Sequence, residues 1–318
     1  MSAITGTMSR LAAVCLLAGA TAALEVVRFG DGPIIDSRTP GWGGTASDNI
    51  NGPCLVRVPA WVRNPLGRWY LYFAHHRGDR IRLAYADRPE GPWRIHGPGV
   101  IPLAASGYSD HVASPDIVID EAQQRIICFY HGMDKGGGKQ TTRAAVSADG
   151  LSFAAPTEPL APFYLRVWRQ DGWWYGLAKA KSGMQFQRSR EPLSPWQAGP
   201  EVLAKSRHVA VLPTSRGLFV VASRIGDAPE ALLWSLIDIA AADWSTWTAT
   251  EPAPLLAPSR HWEGADLPVR PSRSGAASGR VHELRDPHLV RDGERLLLTY
   301  AVAGESGLAL AELRGLPP

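Results

Sequence analysis

The sequence predicts an all-β fold, a five-bladed β-propeller. Three observations carry the prediction. First, 32 Gly and 26 Pro among 318 residues exceed the usual combined share of about 12%, yet fall short of collagen-like or low-complexity composition. Second, 45% of the residues are hydrophobic and 12 are Trp, enough apolar surface to offset the entropy of ordering the chain. Third, one order of strands and turns recurs five times, near the period of about 40–50 residues that marks propeller blades. An irregular β-sandwich would share the composition but not the repeated order.

The N-terminus is a separate object. Arg10 supplies a positive charge, Leu11 to Gly19 an apolar run, and Ala20-Thr21-Ala22 a small-residue cleavage pattern. The expectation is a secretory signal over residues 1–23, cleaved near Ala22 or Ala23, and a secreted or periplasmic mature protein. The run is shorter than the roughly 20 residues that cross a bilayer; the alternative is an uncleaved anchor. Val14 before Cys15 argues against a lipoprotein signal. Residues 24–318 then form one propeller domain with no membrane partner.

The units follow in chain order. Arg68 to Ala74 and Ile81 to Ala86 are strands of the first, closed by Gly91-Pro92-Trp93. The second has Ile117 to Ile119, Arg125 to Tyr130 and Thr142 to Ser147, ending at Asp149 to Phe153. The third runs Tyr164 to Trp168, Gly172 to Leu177 and Met184 to Phe186, ending at Ser194-Pro195-Trp196. The fourth has His208 to Leu212, Gly217 to Ser223 and Ala231 to Ile237, ending at Trp244 to Trp247. The fifth has Pro287 to Val290, Arg295 to Ala301 and Gly307 to Glu312, and lacks a closing strand. Glu25 to Ile35 is expected to supply it and close the ring. Each unit alternates β-branched or aromatic runs with Gly, Pro and Asp turns.

Net charge is +3, with no basic run or nucleic-acid motif, so a nucleic-acid partner is not expected. Cys54 and Cys128 both lie in apolar strand-like runs. Buried free thiols are the default there, although an exported chain can also oxidise such a pair. No Cys spacing suggests zinc.

Antiparallel alternation puts the start of each first strand and the loop between the second and third strands on one rim. Those positions carry Asn51, Ser114 to Asp116, Tyr164 with Arg166, Arg207-His208 and Arg285 to His288. The loops carry His75-His76, His131, Lys179, Arg224 with Asp227 and Glu230, and Glu305. The connection from the fourth to the fifth blade adds Glu263 and Asp266. The opposite turns, such as Asp292-Gly293, are ordinary. Convergent acids, Arg and His at a channel mouth suit a site for a polar ligand. Blade-locking hydrogen bonds are the competing use of the same side chains.

Gly67 to His76, Leu83 to Ala86 with Gly91-Pro92-Trp93, Ala113 to Ile117 and Leu284 to Leu289 together resemble the five-bladed propeller glycoside hydrolases, the family 43 arabinanases and xylosidases and their invertase-like relatives. The resemblance spans nearly the whole mature chain, and the segments around Arg207-His208, Gly226 to Glu230 and Glu263 to Asp266 look like an uncharacterised branch. It implies a carbohydrate substrate of plant or algal origin and an inverting reaction. One carboxylate activates water while a raised-pKa acid about 6.5–9.5 Å away protonates the leaving oxygen.

The family's acids transfer unevenly. Asp116 matches the second-blade Asp. Asn51, which cannot act as a base, stands at the position of the first-blade base, with Asp48 nearby but offset, and the third blade begins at Phe163 to Arg166 without a Glu. Two readings follow. In one, the acids have moved: Asp116, Glu263, Asp266, Asp286 and His208 are the catalytic candidates, with Glu230 a further carboxylate and His76 a further acid or base. Asn51, His75, His76, His131, Arg166, Arg207, Arg224, Asp227, Glu230, Arg285 and Glu305 are then the substrate-binding candidates. In the other, the propeller binds sugar without cleaving it. No cofactor is expected, and the resemblance leaves room only for a structural calcium or sodium ion in the channel. His75 and His76, adjacent on a strand end, point to opposite sides and make a poor chelate.

Overall fold

The computed structural model describes residues 24–44, 49–154 and 156–316. The expected signal, residues 1–23, and Asp48 lie outside them. Twenty strands form five four-stranded antiparallel sheets. In blade I, β2 is Asn51–Arg57, β3 Trp69–Ala74, β4 Arg80–Ala86 and β5 Arg94–Pro102. In blade II, β6 is Ala113–Asp120, β7 Arg125–Met133, β8 Gln140–Ser147 and β9 Ala161–Pro162. In blade III, β10 is Arg166–Gln170, β11 Trp173–Lys179, β12 Met184–Ser189 and β13 Gln197–Val202. In blade IV, β14 is Ser206–Thr214, β15 Gly217–Arg224, β16 Leu232–Ile237 and β17 Ala253–Leu256. In blade V, β18 is Leu284–Asp292, β19 Arg295–Val302 and β20 Gly307–Arg314, and β1, Glu25–Arg28, closes its outer edge. Glu25 pairs with Arg314 and Arg28 with Ala311. The N-terminal segment therefore closes the ring as expected.

Each of the five blade interfaces holds one apolar cluster. Strand β3 shows why the middle strands read as unbroken apolar runs. Tyr70 and Tyr72 face blade II, packing with Ile126 and Tyr130. Trp69, Leu71 and Phe73 face blade V, packing with Leu297 and Leu310. Successive side chains point to opposite faces, and in a propeller both faces are buried. Cys54 and Cys128 are buried free thiols in the interface of blades I and II.

The aromatic closers are not the fourth strands. Trp93, Trp196, Trp244 and Trp247 sit just before them and fill the blade interfaces. In blades I and III the corner is the same: the indole N–H donates four residues back, Trp93 to Pro89 O and Trp196 to Pro192 O, both at 3.2 Å.

The innermost strands carry the feature that builds the site. Their pairing with the second strand slips at Asn51/Cys54, Ala113/Asp116, Ser206/Val209 and Arg285/His288. Such bulges re-aim side chains at barrel and blade rims. Gly52, Ser114, Tyr164 and Asp286 stand at or beside these starts with φ of 57°, 47°, 60° and 50°. A Cβ on Gly52 would meet Ser114 Cα at 3.1 Å, so two blade starts touch across the mouth of the channel.

Candidate active site at the propeller rim

The rim cavity has a volume of about 600 Å³ and is lined by Asn51, His76, His111, Ser114, His131, Tyr164, Lys179, Arg207, His208, Asp286 and Glu305, among others. At its floor, His208 Nδ1 lies 2.7 Å from Asp286 Oδ1. The two oxygens of Asp286 are divided: Oδ1 faces His208, and Oδ2 lies 3.4 Å from the backbone N–H of Gly52. The other nitrogen, His208 Nε2, is 3.3 Å from Ser114 Oγ. The Tyr164 ring stands edge-on to His208, centroids 3.8 Å apart, and to His131 at 4.4 Å. The Tyr164 ring and the Asp286 contact restrict how the His208 imidazole turns.

Burial alone would raise the pKa of Asp286, but the adjacent His208, with Arg207 and Arg285 behind it, holds this carboxyl well below its usual range. The same burial lowers His131 far below the ordinary imidazole value, with His111, His208 and His76 adding repulsion. His76 is lowered too, by burial against the opposing pull of Glu305 and Asp286. Lys179 is lowered by burial and by Arg207. Asn51 Oδ1, His131 Nδ1 and, despite its 2.7 Å approach to Asp286, His208 Nδ1 are buried without an aligned hydrogen-bond partner among the described residues. Unpaired polar atoms are costly in a closed core; these belong to residues that line the cavity.

Behind the pocket lies a buried ionic scaffold. Arg207 grips Glu230 with two hydrogen bonds of 2.8 Å, and Ser223 Oγ donates to Glu230 at 2.6 Å. Arg285 donates to Glu283 at 2.6 Å and to Glu305 at 3.0 Å. Asn49, absent from the sequence-based candidates, donates to Glu305 and accepts from Asn51 Nδ2 at 2.9 Å and His76 N at 3.0 Å. Glu230 and Arg285 therefore hold the wall rather than face the cavity.

The structure brings together Asn51, His76, His131, Arg207, His208, Asp286 and Glu305 of the expected residues. It separates others. Asp116 is one layer deeper in the channel, accepting from Arg166 Nη1 at 3.1 Å and Val167 N at 2.8 Å. Arg166 is spent there, donating also to Pro115 O and Val209 O. Glu263 was expected at the rim but faces the outer part of blade V. It accepts from Arg28 Nε at 2.7 Å, Tyr300 Oη at 3.1 Å and the N–H groups of Ser259 and Arg260. Asp266 is exposed near Arg280. His75 accepts from Arg77 N in its own turn, and Arg224 pairs with Asp227 three residues on. None of these seven (Asp116, Arg166, Glu263, Asp266, His75, Arg224 and Asp227) lines the rim cavity. Ser114, Tyr164 and Lys179, rim positions outside the catalytic and binding candidates, line it too, as does His111, which the sequence did not mark. The signal for Ser114 was its place: Gly52-Pro53, Ser114-Pro115 and Asp286-Pro287 are the same step of three blades.

One layer down, Cys54, Asp116 and His288 follow two residues after Gly52, Ser114 and Asp286, and their donor atoms lie within 4.8 Å of one another. His288 Nε2 is 3.3 Å from Cys54 Sγ. Calcium and sodium call for oxygen ligands. A thiol, an imidazole and a carboxylate already engaged by Arg166 do not fit them, and no step below uses a metal.

The five-bladed topology is similar to that of solved glycoside hydrolase structures. A candidate glycoside hydrolase from Bacteroides ovatus superposes with a TM-score of 0.64 at 12% identity, covering 91% of this chain and 96% of that one. One from Parabacteroides distasonis gives 0.64 at 12%, covering 91% and 95%. The GH43_1 enzyme of Xanthomonas citri, solved with xylotriose, gives 0.59 at 12%, covering 89% and 88%. Likeness at this identity speaks to the fold. No family model matches the sequence. The chain belongs to the same protein family as the uncharacterized protein R118 of Acanthamoeba polyphaga mimivirus, with which it is 31% identical over 326 residues, covering 91% of this chain and 90% of that one.

Proposed function

We propose that the protein is a hydrolase of glycosidic bonds that takes a plant or algal oligo- or polysaccharide into the rim cavity. The observation that carries the reading is the buried His208–Asp286 pair, 2.7 Å apart, at the floor of that cavity. An imidazole oriented by a carboxylate is suited to take a proton from water as the oxygen attacks an anomeric carbon. His76 is the titratable neighbour on the same wall that can protonate the leaving oxygen; burial lowers its pKa, so it carries that proton on the acid side of neutrality. Direct attack by water would invert the anomeric centre. The unpartnered Asn51 Oδ1 and His131 Nδ1 are suited to sugar hydroxyls. The apolar run Leu11 to Gly19 supports export of the protein to meet such a substrate.

A second reading, sugar binding without cleavage, has one observation in its favour. Asn51 and Tyr164 stand where the family resemblance implies acids. A screen of the purified protein on aryl glycosides and plant and algal oligosaccharides separates the two. Release of reducing ends is the expected result; binding across the panel with no release would leave the binding reading.

A further inference from the structure

We infer that the rim cavity also holds a serine nucleophile, Ser114, and that Ser114, His208 and Asp286 form an acyl-transfer triad acting on esters. Three blades supply it: Ser114 from β6, His208 from β14 and Asp286 from β18. Ser114 Oγ lies 3.3 Å from His208 Nε2, and His208 Nδ1 lies 2.7 Å from Asp286 Oδ1. Nucleophile, base and orienting carboxylate thus stand in sequence through the two nitrogens of one ring. That relation defines such triads on unrelated folds. The Ser–His distance is at the long end, as is common before substrate tightens the contact.

The burial fits the assignment. Ser114 is 6% exposed, His208 4% and Asp286 2%, yet all three line the cavity. The Asp286 carboxylate has the basic residues Arg207 and Arg285 behind it and stays ionised; its Oδ1 lies 2.7 Å from His208 Nδ1 but off the line of the N–H bond, so a small turn of the ring completes the contact. Ser114 adopts φ 47°, a conformation that a surrounding structure must enforce; here the bulge in β6 enforces it and turns the hydroxyl toward the rim. Asp116, two residues on, points into the channel instead.

The step balances without a cofactor. His208 Nε2 takes the hydroxyl proton as Ser114 Oγ bonds the ester carbonyl carbon, whose π electrons move onto oxygen. Collapse breaks the carbon–oxygen bond to the alcohol, which leaves with the proton from Nε2. Water repeats the sequence on the acyl-serine, releasing a carboxylic acid and restoring the hydroxyl. His131, whose backbone pairs in register with Ala113 beside Ser114, has the unpartnered buried Nδ1 available to a ligand oxygen on that wall. The substrate class is an acylated sugar. The sugar half rests on the function proposed above; the nucleophile does not.

The test uses the full chain and a fluorophosphonate probe, with acyl release read on p-nitrophenyl acetate and on an acetylated xylo-oligosaccharide. A phosphonyl adduct on Ser114 in peptide mass spectrometry is expected, absent in Ser114→Gly and in His208→Gln. Ester hydrolysis should fall by about 10³-fold or more in both. Glycine suits the positive φ, so Ser114→Gly should keep the parent melting temperature, whereas Ser114→Ala retains the strain. Asp286→Asn, a positioning change, should lower kcat with KM little altered. No adduct, an adduct elsewhere, or undiminished ester hydrolysis in Ser114→Gly would overturn the triad. Adduct formation does not depend on cleavage of a glycosidic bond, so the two proposals fail separately.

Discussion

His208 and Asp286 are neighbours only because two blade starts slip in register, and the groups behind them are paired for the same reason. Arg207 follows the slip in β14 and meets Glu230, whose side chain is fully buried. Burial would lower the Arg207 pKa, but the hydrogen-bonded Glu230 carboxylate outweighs it and raises it above its ordinary value. A pair of this kind is weak evidence for net stability, yet removing one partner is costly because the other charge stays buried. Arg207→Ala should therefore destabilise the fold by roughly 3–5 kcal/mol, read by urea unfolding. Arg207→Ala with Glu230→Gln should recover part of that loss.

The closing strand β1 is the element that locks the ring. It is four residues long and, among the described residues, pairs with β20 alone, so its backbone bonds by themselves hold it weakly. Arg28 anchors it, donating to Glu263 at 2.7 Å and to Ala257 O at 2.9 Å. Glu263 is also the N-terminal hydrogen-bond acceptor of the short turn His261–Glu263. A carboxylate that accepts from four residues is a fastener. Glu263→Gln should lower stability by roughly 2–4 kcal/mol in thermal or denaturant unfolding. The chemistry at His208 should survive in the fraction that stays folded. A variant of parent stability that loses all turnover would instead place Glu263 in the reaction.

At the scale of the whole molecule, the ring buries titratable groups that must stay neutral. Burial, with Arg166 adding repulsion, lowers His288 to about 3, and His131 is lowered well below its ordinary value as well. The unfolded chain binds these protons near pH 6.5 and the folded one does not. Stability from this source is complete above about pH 6.5 and is lost as pH falls toward 3. Denaturant midpoints measured from pH 8 to pH 4 should fall on acidification. His288→Gln should flatten part of that fall.

Blade number and closure were legible because both faces of every middle strand are buried, which writes continuous apolar runs between turns. Tyr70 and Trp69 show both faces in adjacent residues. The rim was legible as a location, since alternation fixes which strand ends share it. Individual roles were not. A bulge moves the functional side chain by a residue or two, so Ser114 faces the cavity while Asp116 faces Arg166. A loop carboxylate such as Glu263 looks free in sequence and is claimed by Arg28, more than two hundred residues away. Long-range pairing of that kind leaves no local pattern.

Reducing-sugar release by the parent and His208→Gln, compared on the glycoside panel with folded protein of matched melting temperature, tests the hydrolase reading most directly. The parent should turn over at least one glycoside, and His208→Gln should lose about 10²–10⁴-fold in kcat. Undiminished turnover without His208, or sugar binding by the parent with no turnover at all, would contradict it.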